Sequence, residues 1–344
     1  MPLIGAAQLE NLTRDIFVAR GTPSEDAAWV AALLVRANLR GHDSHGVIRV
    51  PLYVQALKAG HVNPRPDVRV VSEAPMIALV DGDNGFGQVV ARRGIGIAID
   101  KALAQGLSAV TLKNASHVGR LADYAETAAA RGLIALLWAN VRGGLNVAPW
   151  GGAARRLGTN PHAIAVPGPD GTVAMSFDFA TSVIAEGKLK VKFARGERVA
   201  PGIMLNGAGQ ASTDPREFYA DPVGSLLTVG EHKGFGLSLA VEILGGILSG
   251  TGAARSERGP FHNGTLIVCV DPTRFLPAAE FHAEVANLFA FVRSAPLAEG
   301  AKEILIPGEP EERTARQRGA DGIAVEDETW RQIRACAEEV GVPV

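Results

Sequence analysis

The stretch that decides the architecture is residues 77–139, IALVDGDNGFGQVVARRGIGIAIDKALAQGLSAVTLKNASHVGRLADYAETAAARGLIALLWA. Three short apolar runs, at 77–81, 108–112 and 133–139, have the length of strands and lie close to glycine, proline or asparagine. Between them, 88–105 and 118–131 carry apolar residues at helical spacing. The order β-α-β-α-β predicts a layered α/β sheet that is parallel in part.

Working outward, Thr22-Pro23-Ser24-Glu25 has the form of a capping box with proline at the first helical position. Val30, Leu33, Leu34 and Ala37 then give a helix its core face, and Gly41 ends it. A second helix is expected from Asp43 or Ser44 to Gly60, with a domain boundary around Pro64 and Pro66. Downstream, strands are expected at 163–166, 173–177, 226–229, 266–270 and 303–306, and helices at 235–248, 279–291 and 327–340. The stretch 142–161, rich in Gly, Pro and Asn, is too long for a simple turn, and loops of that length inside compact domains are often functional.

Composition narrows the class. The 344 residues are 47% hydrophobic and 20% charged, enough to bury a substantial core. Forty glycines, mostly single and at the ends of apolar runs, suit a chain with many strand–helix junctions. A net charge of −2 favours neither a nucleic-acid groove nor an anionic membrane surface. Cys269 and Cys336 make no disulfide framework, and no metal site is expected. No basic-then-apolar leader opens the chain and no apolar run reaches membrane-spanning length, so the expected compartment is the cytoplasm.

No stretch satisfies the glycine-rich G-x-G-x-x-G fingerprint: Gly85-Phe86-Gly87, Gly207-Ala208-Gly209 and Gly234-Phe235-Gly236 all fail at the third glycine. Four other clusters carry chemistry. In Gly41-His42-Asp43-Ser44-His45-Gly46-Val47-Ile48-Arg49, a helix starting at Ser44 would put His45, Arg49 and Tyr53 on one face. A guanidinium fork suits a carboxylate and an imidazole suits a hydroxyl proton, which a 2-hydroxy acid needs together; a capping Ser44 and a packed core His45 fit the same residues. Asn114-Ala115-Ser116-His117-Val118-Gly119-Arg120 joins a strand to a helix, where backbone N–H groups suit a diphosphate, or where His117 merely closes a loop. Val147-Ala148-Pro149-Trp150-Gly151-Gly152 with Gly158-Thr159-Asn160-Pro161 shapes either a pocket wall or structural turns. Glu231-His232-Lys233-Gly234 opens a helix, so Lys233 either meets a phosphate or is solvated.

Taken in order, these motifs with Asp178-Phe179-Ala180-Thr181-Ser182 and Ile306-Pro307-Gly308-Glu309 resemble the malate/L-lactate dehydrogenase type 2 family, over about residues 5–340. The resemblance implies an α/β fold with a non-Rossmann NAD(P)-binding mixed sheet. It also implies a helical domain from both chain ends (1–70 plus 310–344) around a core of 71–309, and a homodimer. It implies interconversion of a small 2-hydroxy acid and its 2-oxo acid, with NAD or NADP as cofactor. Cofactor contacts carry over to His45, His117, Val118, Gly119, Arg120, Leu121, Met175, Ser176, Phe177, Asp178, Phe179, His232, Lys233, Asn263, Pro307, Gly308 and Glu309. Ser44, His45, Arg49 and His117 match catalytic positions; Arg49, Tyr53, Arg120 and Thr159 match the substrate side. The related cyclic imino-acid reductases tend to carry an aspartate where this chain has Lys188, and His117-Val118-Gly119-Arg120 resembles the hydroxycarboxylate branch; both features point to a 2-hydroxy acid.

Overall fold

The computed structural model describes residues 1–255 and 261–344. In chain order, β1 (Leu3–Ile4), α1 (Ala6–Ala19) and α2 (Ser24–Leu39) lead through two single 3-10 turns into α3 (Val50–Lys58). Then come β2 (Arg69–Glu73), β3 (Ile77–Gly85), α4 (Gly87–Gln105), β4 (Leu107–Ala115), α5 (Ala122–Ala129) and β5 (Ile134–Ala139). After the long loop follow β6 (His162–Pro167), β7 (Val173–Phe179), α6 (Glu186–Ala194), β8 (Met204–Leu205), β9 (Ala211–Ser212), α7 (Pro215–Tyr219) and β10 (Ser225–Leu226). The chain closes with α8 (His232–Val241), a π-helical continuation Glu242–Ile247, β11 (Asn263–Val270), α9 (Ala278–Arg293), α10 (Glu309–Asp321), β12 (Ile323–Ala324) and α11 (Asp327–Glu338).

Alternation makes the strands. Ala78, Val80, Val110, Leu112, Ala135 and Leu137 are buried while their neighbours are less so, and α4 lays Val90, Ile95, Ala98 and Ala102 on the same core. The main sheet has the order β2-β3-β4-β11-β5-β6-β7. β3 and β4 pair parallel, and the remaining neighbours pair antiparallel. The sheet is therefore mixed and outside the Rossmann arrangement, whose strands run parallel. The five elements read at 77–139 are all present, but β11 enters antiparallel between β4 and β5. A strand arriving from more than a hundred residues downstream leaves no local mark in that stretch.

The two chain ends meet. Leu3 pairs with Ala324 and Ile4 with Ile323, and one apolar cluster holds Leu9, Ile16, Phe17, Leu34, Val50, Ile333 and Ala337. Several expectations are corrected. The first helix is α1, whose Leu9, Leu12 and Ile16 already stand at helical spacing. The cap at 22–25 does not form: Pro23 precedes the helix without a side-chain cap bond, and the Thr22 hydroxyl is buried without a partner among the described residues. Glu25 instead pairs with Arg92. Residues 303–306 form no strand, and at 226–229 only Leu226 belongs to one. The helix expected from 118 begins at Ala122, and the charged α10 was not expected.

Candidate active site

The helix expected from Ser44 starts only at Val50. Asp43–His45 and Val47–Arg49 are separate 3-10 turns broken at Gly46. Their fold is fixed from behind by Asn38, whose Nδ2 donates to Asp43 Oδ1 (2.6 Å) and whose Oδ1 accepts from Val47 N (2.8 Å). Arg318 of α10 grips the same Asp43 carboxylate at 2.7 and 3.1 Å. The turns bring Ser44 Oγ to 3.1 Å from His45 Nδ1, and Arg49 Nε donates to the Ser44 carbonyl at 2.7 Å. No carboxylate among the described residues pairs with Arg49.

His117 comes from the end of β4. Ser116 Oγ accepts from Gly87 N (3.0 Å), and α4 starts so close that a Cβ on Gly87 would lie 2.4 Å from the His117 carbonyl. Only glycine lets the helix begin there. The His117 and His45 rings stack with centroids 5.5 Å apart, and Phe261 meets His117 edge-on. Tyr53 Oη stands 2.7 Å from His117 Nδ1.

Ser44, His45, Arg49, His117 and Phe261 face a cavity of about 500 Å³, lined also by Val118, Gly119, Arg120, Thr159, Asp178, Phe179, Lys188 and Asn263. That is far more space than a three- or four-carbon acid fills, and within the usual size of a cofactor site. Val118, Val141, Phe179, Val183 and Ile184 supply apolar wall suited to the faces of a nicotinamide ring. The other sequence-predicted residues stand outside the lining. Tyr53 is behind His117, and Leu121 is buried at the entrance of α5. Met175, Ser176 and Phe177 run along the edge strand β7, where Ser176 N donates to the Pro307 carbonyl (3.0 Å), and Gly308 lies against Ser176. Glu309 Oε2 accepts from Ile306 N (2.8 Å). His232 and Lys233 open α8, with the His232 ring 5.6 Å from Trp150.

Burial sets the electrostatics. His45 is pushed down to about 3 by burial, then by the Arg49 charge. His117 is held well below its ordinary value by burial, Arg49 and His45. Both rings are neutral at neutral pH. Burial opposes the Arg120 charge, but Asp123 (2.8 Å) and Glu126 (3.1 Å) outweigh it and raise its pKa. Burial lifts Asp178 to about 6, against the hydrogen bond from Ala122 N and the Arg120 charge. Asp178 Oδ2 accepts from Ala122 N at the start of α5 (3.0 Å).

Sequence reasoning missed two supports. Gln88, fully buried, donates from Nε2 to Tyr53 Oη at 2.8 Å. Glu242, buried in the π-helical turn, accepts from Asn140 Nδ2 (3.0 Å), Asn160 Nδ2 (2.9 Å) and Ala254 N (2.9 Å). Asn140 in turn accepts from Asn263 Nδ2 (2.7 Å), and Asn263 Oδ1 accepts from Val118 N (3.0 Å), beside His117. The signal for Glu242 was a single charge inside the apolar run 235–248; nothing local marks Gln88.

The family model for malate/L-lactate dehydrogenase matches residues 4–334. Hydroxycarboxylate dehydrogenase B of Escherichia coli (strain K12) is 35% identical over 98% of this chain and 94% of its own length. L-sulfolactate dehydrogenase of Methanocaldococcus jannaschii is 36% identical over 97% and 96%. The structure of malate dehydrogenase from Pyrococcus horikoshii OT3 superposes with a TM-score of 0.90 at 35% identity, covering 99% of this chain and 96% of that one. A more distant structure, delta1-piperideine-2-carboxylate reductase from Pseudomonas syringae pvar. tomato, gives 0.83 at 28%, covering 98% and 100%. With the turn bearing Ser44, His45 and Arg49 facing His117 across one cavity, and a match over nearly its whole length, the chain belongs to the malate/L-lactate dehydrogenase family.

Proposed function

We propose that the protein interconverts a small 2-hydroxy acid and its 2-oxo acid, with NAD or NADP as hydride carrier. The observation that carries this reading is Arg49, without a carboxylate partner among the described residues, in the cavity that the stacked His45 and His117 face. Arg49 holds the substrate carboxylate in a fork, which leaves the neighbouring carbon and its oxygen beside the imidazoles. His117 exchanges the proton with that oxygen. His45, tied to Ser44, orients the substrate. The apolar wall of Val118, Phe179 and Ile184 would give a nicotinamide ring a dry place to lie, where it would supply the hydride acceptor or donor. Met175, Ser176, Phe177, His232, Lys233, Pro307, Gly308 and Glu309 serve the cofactor outside the cavity. Thr159 contacts the substrate, while Arg120, neutralised by Asp123 and Glu126, shapes the wall.

The second reading, reduction of a cyclic imino acid, has the solved piperideine-carboxylate reductase as a relative. Lys188 weighs against it. It lines the cavity next to Gly187, where a Cβ would lie 2.7 Å from Ser44 Cβ, so a cation stands beside the Ser44 turn. A panel of 2-oxo acids and cyclic imino acids, each with NADH and with NADPH, separates the two. Turnover of the oxo acids supports the hydroxyacid reading; turnover of imino acids alone overturns it.

The working unit is a homodimer in which each chain has a helical unit (1–70 and 310–344) around the core (71–309). Among the described residues α9 buries none of its own, leaving Phe291 77% and Leu288 56% exposed, and Ile243, Ile247 and Leu248 are exposed beyond α8. Apolar surface of this extent is normally covered by a partner. Light scattering that gives a fully active particle of 35.9 kDa contradicts it.

A further inference from the structure

Behind His117 stand two buried polar side chains from different elements, Tyr53 on α3 and Gln88 on α4. Gln88 is held in place: Trp29 Nε1 donates to its carbonyl (2.9 Å), and the preceding Gly87 abuts His117. A phenol carries one hydrogen. Because Gln88 Nε2 donates to Tyr53 Oη (2.8 Å), the Tyr53 hydrogen goes to the other atom in reach, His117 Nδ1 at 2.7 Å. The neutral imidazole then carries its own proton on Nε2.

Gln88 Oε1 is buried and has no partner among the described residues. Turned over, the amide would accept from Tyr53 at Oε1, His117 Nδ1 would donate to Tyr53 and His117 Nε2 would be bare, while the amide NH2 would stand in the buried place where Oε1 has no partner. The orientation of the Gln88 amide thus chooses between two hydrogen arrangements of Tyr53 and His117, and the first is the one the structure holds. One offers Nε2–H to an oxo oxygen, and the other offers a lone pair to a hydroxyl proton.

We propose that Gln88 is a positioning residue that sets the tautomer of His117 through Tyr53, and with it the pH range in which His117 exchanges its proton. The proposal rests on the reading that His117 is the proton-exchanging group. In the reducing direction the Nε2 proton passes to the substrate oxygen and the Tyr53 proton to Nδ1. The phenolate is left beside the Gln88 amide and the Arg49 charge until solvent returns the proton. Burial raises the Tyr53 hydroxyl to about 12, against the pull of Arg49 and Gln88, so that state is transient. The titratable groups facing the His117 ring are Tyr53, Arg49 and His45. The ratio of kcat/KM in the two directions is fixed by the reaction equilibrium, so the effect is read in pH dependence and in the ring itself.

Two measurements test it. Gln88→Glu places an acceptor behind Tyr53 and favours a protonated ring, so the pH–rate limb should move up by about one unit with little change in KM for the oxo acid. An unmoved limb with retained kcat overturns the proposal. Nitrogen-15 spectra of the histidine rings, with His117 assigned by its loss in His117→Asn, should show Nε2 protonated and Nδ1 bare in the unaltered enzyme. Gln88→Met, which keeps the volume, should give a mixture. Nδ1–H alone in the unaltered enzyme, or an unchanged tautomer in Gln88→Met, overturns the proposal even if Gln88→Glu does not fold. Should His117→Asn stay fully active, the base assignment fails while the ring spectra still decide the tautomer.

Discussion

The imidazole rings of His45 and His117 stack at 5.5 Å between centroids and 22° between planes, yet their Nδ1 atoms are held by different partners, Ser44 and Tyr53. Two buried rings this close, beside Arg49, resist holding two protons, which divides their roles. His117→Ala should lower kcat by about 10²–10⁴-fold and erase the matching limb of the pH–rate profile, with NAD(P)H binding still measurable. His45→Ala should raise KM more than it lowers kcat. If the limb survives in the His117 variant and disappears in the His45 variant, the assignment is reversed.

Arg49→Lys keeps the charge and loses the two-pronged contact. The lost charged hydrogen bond is worth about 1.5–3 kcal/mol, roughly ten- to hundredfold in KM for the oxo acid, with cofactor affinity nearly unchanged. Steady-state kinetics with the oxo acid and fluorescence titration with NADH check both halves. An unchanged KM contradicts the carboxylate assignment.

Stability should depend on pH through the same rings. His45 titrates at about 3 when folded against an ordinary 6.5, and His117 is shifted in the same direction. Below about 6.5 the unfolded chain takes up protons that the folded one refuses, so their contribution is complete above that pH and is lost on acidification. Asp178, raised to about 6 from 3.8, and Asp26, raised by burial, act oppositely over part of that window, while burial lowers His42, His162 and His262 in the same sense as the two rings. Tm should therefore fall between about pH 7 and about pH 5, and His45→Gln should flatten the fall. A Tm that rises on acidification, or an unaltered slope in the variant, contradicts this.

Glu242 receives three donors, and an amide there would turn its NH2 toward one of them. Glu242→Gln should cost about 1.5–3 kcal/mol, a Tm drop of several degrees. Because the same network reaches Asn263 and the backbone beside His117, kcat should fall as well. Calorimetry and kinetics on the same preparation check this; a variant as stable and as active as the parent contradicts it.

Among the cavity residues Ser44, His45, Arg49, His117 and Thr159 were legible, because they sit in short motifs whose chemistry shows in the residue types, whereas the apolar wall of Val141, Val183 and Ile184 was not. What holds them was not. The sequence predicts one helical face for His45 and Arg49, whereas Asn38 and Arg318 fold that segment into two 3-10 turns, and Arg318 arrives from the far end of the chain. Gln88 resembles any polar residue at the start of a helix until α3 brings Tyr53 against it. Likewise, β3, β4 and β5 could be read from alternation, but the insertion of β11 between β4 and β5 is a long-range pairing. Asp178 illustrates the same limit: nothing near residue 122 in the sequence shows that a carboxylate from β7 accepts from Ala122 N at the start of α5.

The defining step of the proposed reaction is hydride transfer between the nicotinamide and carbon 2 of a 2-oxo acid. It is tested most directly by running the reduction with NADH or NADPH deuterated at the transferring position of the ring and weighing the product. The expected product is a 2-hydroxy acid carrying one deuterium, on carbon 2. A hydroxy acid free of deuterium, or deuterium transfer confined to a cyclic imino acid while every 2-oxo acid is left unchanged, would contradict it.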